Sequence, residues 1–103
     1  MNNDDIDEVI SKKVDARLKE LKSLPVNELL ELPFYTPEKF EVGGKNQELG
    51  VYRDTKENGE TLIVVQCKNT RFLGFGYMFA EGFVINSAGE FREAEEELMY
   101  EYR

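Results

Sequence analysis

ETLIVVQCKNTRFLGFGYMFAEGFVI, residues 60–85, is the stretch apolar and aromatic enough to make a core. Leu62, Ile63, Val64 and Val65 form a continuous, mostly β-branched run, which suits a strand buried on both faces. The Asn58-Gly59 before it favours a strand entered from a turn. Lys68-Asn69-Thr70 reads as a polar turn. Beyond it the chain alternates, with Arg71, Leu73, Phe75, Tyr77 and Phe79 on one face and Phe72, Gly74, Gly76 and Met78 on the other. A hairpin between the two runs follows. The glycines predict strong curvature near Gly74 and Gly76. Ala80-Glu81-Gly82 reads as a bulge before Phe83, Val84 and Ile85 resume the strand. Asn86-Ser87-Ala88-Gly89 reads as a turn.

Upstream, Ile6, Ile10, Val14, Leu18 and Leu21 form a single stripe over residues 4–22, which predicts an amphipathic helix. Its acids lie at the start and Lys19 and Lys22 at the end, as the helix dipole favours. The stripe can lie on the sheet or pair with a second copy in a homodimer. Pro25 opens a short helix over Val26 to Leu32, with Val26, Leu29 and Leu30 inward. Phe34 and Tyr35 are expected to plug the core, and Thr36-Pro37-Glu38 to form a turn or a single helical turn capped by Thr36. A strand then begins near Phe40, and Gly43-Gly44 signals a hairpin. Its return strand runs to about Arg53. After the central hairpin, Glu90-Phe91-Arg92 can add a short strand, and Glu93 to Tyr102 reads as a closing helix. The sum is one α+β domain over residues 1–103: a helical pair, a curved antiparallel meander of about five strands, and a C-terminal helix.

The composition excludes more chemistry than it suggests. The chain has 103 residues, 41% of them hydrophobic, with a net charge of −8. That charge argues against nucleic-acid or anionic-membrane partners, which need a basic footprint, and suits docking on a basic protein. There is no histidine, which removes the commonest general base and most transition-metal sites. Cys67 is the one cysteine, so no internal disulfide can form, and its place in a strand suits a small core hydrophobe. No phosphate loop or dinucleotide fingerprint occurs, and neither acidic cluster has the glycine-turned loop of a calcium site. No cofactor or metal is expected. The acidic N-terminus is unlike a secretory signal, and no apolar run approaches a membrane span, so a cytoplasmic protein is expected.

Residues 73–80, LGFGYMFA, resemble the octapeptide of RNA-recognition-motif domains at Gly74, Phe75, Gly76 and Tyr77. In that family such rings stack on bases. Leu73 stands where a basic residue belongs and Ala80 where an aromatic belongs. The element order also differs, because two helices lead and none separates the strands. The rings are therefore read as core or as pocket lining.

Three functions compete. The first is a non-catalytic protein-binding module of the immunity or inhibitor type, possible in a phage or mobile element, whose acidic surface steers it onto a basic partner. The second is a small-ligand binding protein. Its pocket would be lined by Phe75, Tyr77, Phe79 and Phe83, with Glu81 and Arg71 as polar handles for a cationic, hydrophobic ligand. The third is an enzyme using Glu81, Arg71 and Tyr77, in which an inward Glu81 has a raised pKa and Arg71 and Arg53 are its candidate partners. The first is preferred.

Overall fold

In the computed structural model, which describes residues 2–70 and 76–99, the chain is an α+β domain built on a five-stranded antiparallel sheet. The elements in order are α1 (Asn3–Lys22), α2 (Val26–Leu30), β1 (Tyr35–Val42), β2 (Lys45–Thr55), β3 (Thr61–Thr70), β4 (Gly76–Ile85), β5 (Phe91–Glu93) and α3 (Glu96–Met99). Spatial order equals sequence order, so every strand pairs with its neighbours in the chain.

β3 is the middle strand, and its Leu62, Ile63, Val64 and Val65 are all buried, as an apolar run without alternation requires. The two faces of the sheet hold two separate clusters. On one, Leu49, Val51, Ile63, Val65, Cys67, Phe83 and Ile85 meet Ile6, Ile10, Val14, Leu18 and Leu21 of α1. Full burial of each such side chain is worth about 1.5–3 kcal/mol, so this face carries most of the stability. The stripe is thus covered by the protein's own sheet and is not open for pairing with another helix. On the other face, Leu62, Val64 and Val84 are covered by Ala94, Leu98 and Met99.

The ends of α1 follow its sequence. Asn2 caps the start, its side-chain oxygen accepting from the Asp5 amide at 2.9 Å. Asp4 and Asp5 occupy the first turn, and Lys19 and Lys22 the last. The β1–β2 hairpin turns on Gly43 and Gly44, whose φ of 56° and 77° only glycine adopts without strain. Cys67 is buried, and desolvation pushes its thiol up to about 11, which suits a core hydrophobe.

Several local expectations need correction. Tyr35, Thr36, Pro37 and Glu38 are not plugs and a turn, because β1 starts at Tyr35. It is an edge strand, where a proline is tolerated. Lys68-Asn69-Thr70 is not a turn but the end of β3, paired with Met78, Tyr77 and Gly76. Asn69 is fully buried there: its Nδ2 donates to Asp7 of α1 at 2.7 Å, and its Oδ1 accepts from Lys45 Nζ at 3.0 Å. No bulge occurs at Ala80-Glu81-Gly82, since the register from Thr61↔Ile85 to Thr70↔Gly76 is unbroken. Gly82 serves close packing instead, for an added Cβ would lie 2.7 Å from the Ile63 carbonyl oxygen. Leu30 points outward, leaving Leu29 as the buried residue of α2. The closing helix expected from Glu93 begins only at Glu96, because Glu93 pairs with Phe83 as the end of β5; the curvature expected at Gly74 and the helical residues expected beyond Met99 lie outside the described residues.

Candidate functional site

The residues proposed for the pocket fall as follows. Arg71 and Phe75 lie outside the described residues. Tyr77, Phe79, Glu81 and Phe83 share the α1 face of β4, because their partners on β3 are Asn69, Cys67, Val65 and Ile63. Their surroundings differ along the row. Tyr77 is 56% exposed, Phe79 packs partly buried against the core, and Phe83 is 0% exposed inside it. Phe83 fills its space rather than bordering a hollow. It also lies 5.0 Å, centroid to centroid, from the Phe91 ring.

Glu81 is half-buried in an open groove of about 360 Å³ that Asp15, Leu18, Lys19, Lys22 and Glu93 also line. Desolvation raises its pKa first, and Asp15 raises it further, while Lys22 and Lys19 oppose the shift. Its counter-charges are therefore lysines of α1, not the Arg53 that the sequence offered. Arg53 is engaged elsewhere, Nε donating to the Leu32 carbonyl at 2.8 Å.

A second constellation is more exposed and was not foreseen. On the face opposite α1, the described C-terminal residues Ala94, Leu98 and Met99 pack on the same cluster as half-buried Tyr52 of β2, while Phe34 and Tyr35 are exposed. Tyr35 and Tyr52 are cross-strand partners there, with ring centroids 4.8 Å apart. Phe34 meets Tyr52 edge-on at 6.1 Å. Phe34 is 53% exposed and Tyr35 38%.

Gly50 makes this arrangement possible. A Cβ there would lie 2.8 Å from Tyr35 Cε1 and 3.1 Å from Tyr52 Cε2, so the glycine lets both rings lie down on the sheet. The Tyr35 hydroxyl donates to the Glu48 carboxylate. Beside the rings is a shallow hollow of about 160 Å³, lined also by Gln66, Lys68 and Met78. The arrangement offers ring faces beside a carboxylate. That combination suits a guanidinium or ammonium group, which stacks on the ring while pairing with the acid.

The Tyr35–Glu48 contact has a pH signature. The hydrogen bond to Glu48, then desolvation, push the Tyr35 hydroxyl up from 10.0 to about 12. The folded state therefore holds this proton more tightly than the unfolded state. Its contribution to stability is complete below pH 10 and is lost as the pH rises from there through 12. Tyr35→Phe removes that contribution. Urea melts should show a constant gap between wild type and Tyr35→Phe up to about pH 10, narrowing above it.

Sequence reading missed this site because Phe34 and Tyr35 look like core residues. The signal was present in the alternation that runs back from Val42 through Phe40 and Glu38, and in Gly50 between Glu48 and Tyr52 on the facing strand. Among the described residues, no group of three or more Cys, Asp or Glu side chains is placed to hold a metal ion. No helix among them is long and apolar enough to cross a membrane. No protein-family model, curated protein or solved structure matches the chain.

Proposed function

We propose that this chain is a non-catalytic protein-binding module of the immunity or inhibitor type, acting in the cytoplasm on a basic protein partner. The observation that carries this reading is the cluster of exposed Phe34 and Tyr35 with half-buried Tyr52, beside Glu48, on a chain of net charge −8. Aromatic side chains are over-represented among the residues that dominate binding energy at interfaces. The surrounding negative charge would speed and orient the encounter with a basic surface. An arginine of the partner would stack on Tyr35 or Tyr52 with Glu48 as its counter-ion. This places the contact on the β1–β2 hairpin and the residue before it rather than on the carboxylates of the helices.

The test is affinity capture with the wild-type chain and with Tyr52→Ala and Glu48→Gln variants. The wild type should retain proteins more basic than the bulk, and retention should fall with salt. Tyr52→Ala should weaken the recovered complex by about 30-fold, the level of an interface hot spot. Partners no more basic than the bulk, or equal retention by all three chains, would defeat the reading.

A further inference from the structure

We propose that Asn58 is a site of self-modification: the Gly59 amide nitrogen closes on the Asn58 side chain, ammonia leaves, and the product loosens the tie between this turn and β5. The chemistry needs only water. The Gly59 nitrogen gives its proton to hydroxide and bonds to Asn58 Cγ. The Cγ–Nδ2 bond then breaks, and the departing nitrogen takes a proton from water. Water opens the resulting succinimide ring. Attack on the side-chain carbonyl leaves aspartate, and attack on the main-chain carbonyl leaves isoaspartate.

Of the asparagines in the sequence, only Asn58 precedes a glycine, the residue with no Cβ to obstruct the attacking nitrogen. The fold supplies a control for this. Two turns at the same end of the sheet are closed alike. The Lys56 amide donates to the Glu60 carbonyl at 2.7 Å, and the Asn86 amide to the Glu90 carbonyl at 3.0 Å. In each, a glycine with φ of 86° or 81° donates back across the turn at 3.0 Å. In the first turn the asparagine stands directly before that glycine. In the second it opens the turn and is followed by Ser87.

The folded turn both prepares and restrains the reaction. Asn58 and Gly59 are exposed, so hydroxide reaches them. Negative charge develops on Asn58 Oδ1 as the nitrogen adds, and that oxygen already accepts from the Glu60 amide at 3.0 Å. Two contacts hold the reactants back. Asn58 Nδ2 donates to Glu60 Oε1 at 3.0 Å, and the Gly59 amide donates to the Lys56 carbonyl at 3.0 Å. The rate is therefore set by local opening of the turn.

Glu60 couples the turn to β5. Its two carboxylate oxygens accept from Arg92 Nη2 at 2.9 and 3.1 Å. Conversion replaces the Asn58 donor beside Glu60 Oε1 with a second carboxylate, and isoaspartate also adds a carbon to the backbone of the turn. The like charges repel, Glu60 swings away, and Arg92 loses its partner. β5 is short and exposed, so it is the element that loosens.

The test keeps the folded wild-type chain in mildly alkaline buffer and follows its peptides by mass spectrometry, with free ammonia measured in parallel. The Asn58 peptide should take the mass of the acid and split into aspartate and isoaspartate forms, in step with ammonia and in proportion to hydroxide. The Asn86 peptide should stay intact. Glu60→Ala, which frees the Asn58 amide, should speed conversion about 2- to 10-fold, the worth of one exposed hydrogen bond. Asn58→Gln, whose longer side chain closes only to a larger ring, should abolish conversion without touching the glycine. Amide exchange in Phe91–Glu93 should be faster in converted than in unconverted chains. Equal conversion of the two peptides, a rate unmoved by Glu60→Ala, or unchanged exchange in β5 after conversion would overturn the proposal.

Discussion

Phe83→Ala should destabilise the protein by about 3–5 kcal/mol, read as a fall in the urea midpoint with little change in slope. The ring is fully enclosed among Ile63, Val65 and the α1 stripe, with Phe91 against one side. Its removal leaves a cavity that a packed sheet and helix cannot close. A loss of this size is a large part of the roughly 5–15 kcal/mol available to a domain. Phe91→Ala is the control. That ring is 39% exposed, and its loss should cost about 1 kcal/mol or less. Near-equal effects from the two substitutions would show that Phe83 is not a core residue, and would return it to the lining of a ligand pocket.

Gly82→Ala should cost roughly 1–3 kcal/mol although it adds a single methyl group. The new carbon would sit 2.7 Å from the Ile63 carbonyl oxygen, 3.3 Å from Val64 Cγ2 and 3.4 Å from Ala94 Cβ. The nearest of these is backbone in the middle of the sheet and cannot give way. Gly82 itself must therefore shift, and with it the C-terminal arm, which is held by three pairs to β4, by the Ala94–Gly82 hydrogen bond and by Leu98 and Met99 on the Leu62, Val64 and Val84 cluster. Amide exchange should therefore rise in Phe91–Glu93 far more than in Ile63–Val65. A uniform rise across the sheet would contradict this hinge.

The elements legible from the residues were those whose cause is local. Leu62–Val65 had to lie in the centre because nothing in the run can face water. The α1 stripe marked one side of a cylinder, and Gly43-Gly44 specified a turn that only glycine enters easily. The misreadings share a different cause, a partner distant in sequence. Asn69 looked like a turn residue and became a buried one because Asp7 and Lys45 satisfy its amide. Glu81 looked like a bulge because no local residue explains a carboxylate in an apolar run, whereas Lys19 and Lys22 of α1 do. Phe34 and Tyr35 looked like core because ring size says nothing about which edge of a sheet a strand will occupy. The candidate site was hidden for that reason: its platform depends on Gly50, whose role appears only once β1 lies beside β2.

The order of the elements also bears on how the protein is made. The strands can zip hairpin by hairpin as they leave the ribosome, since each needs only the one before it. The first helix cannot do the same: its oily side lacks its full seat until the fourth strand has emerged. At ordinary synthesis rates that interval is roughly 3–13 seconds. Through that wait the nascent segment is kept from sticking by the acids and lysines that surround its stripe, so its charge density serves the newborn chain before it serves the finished one.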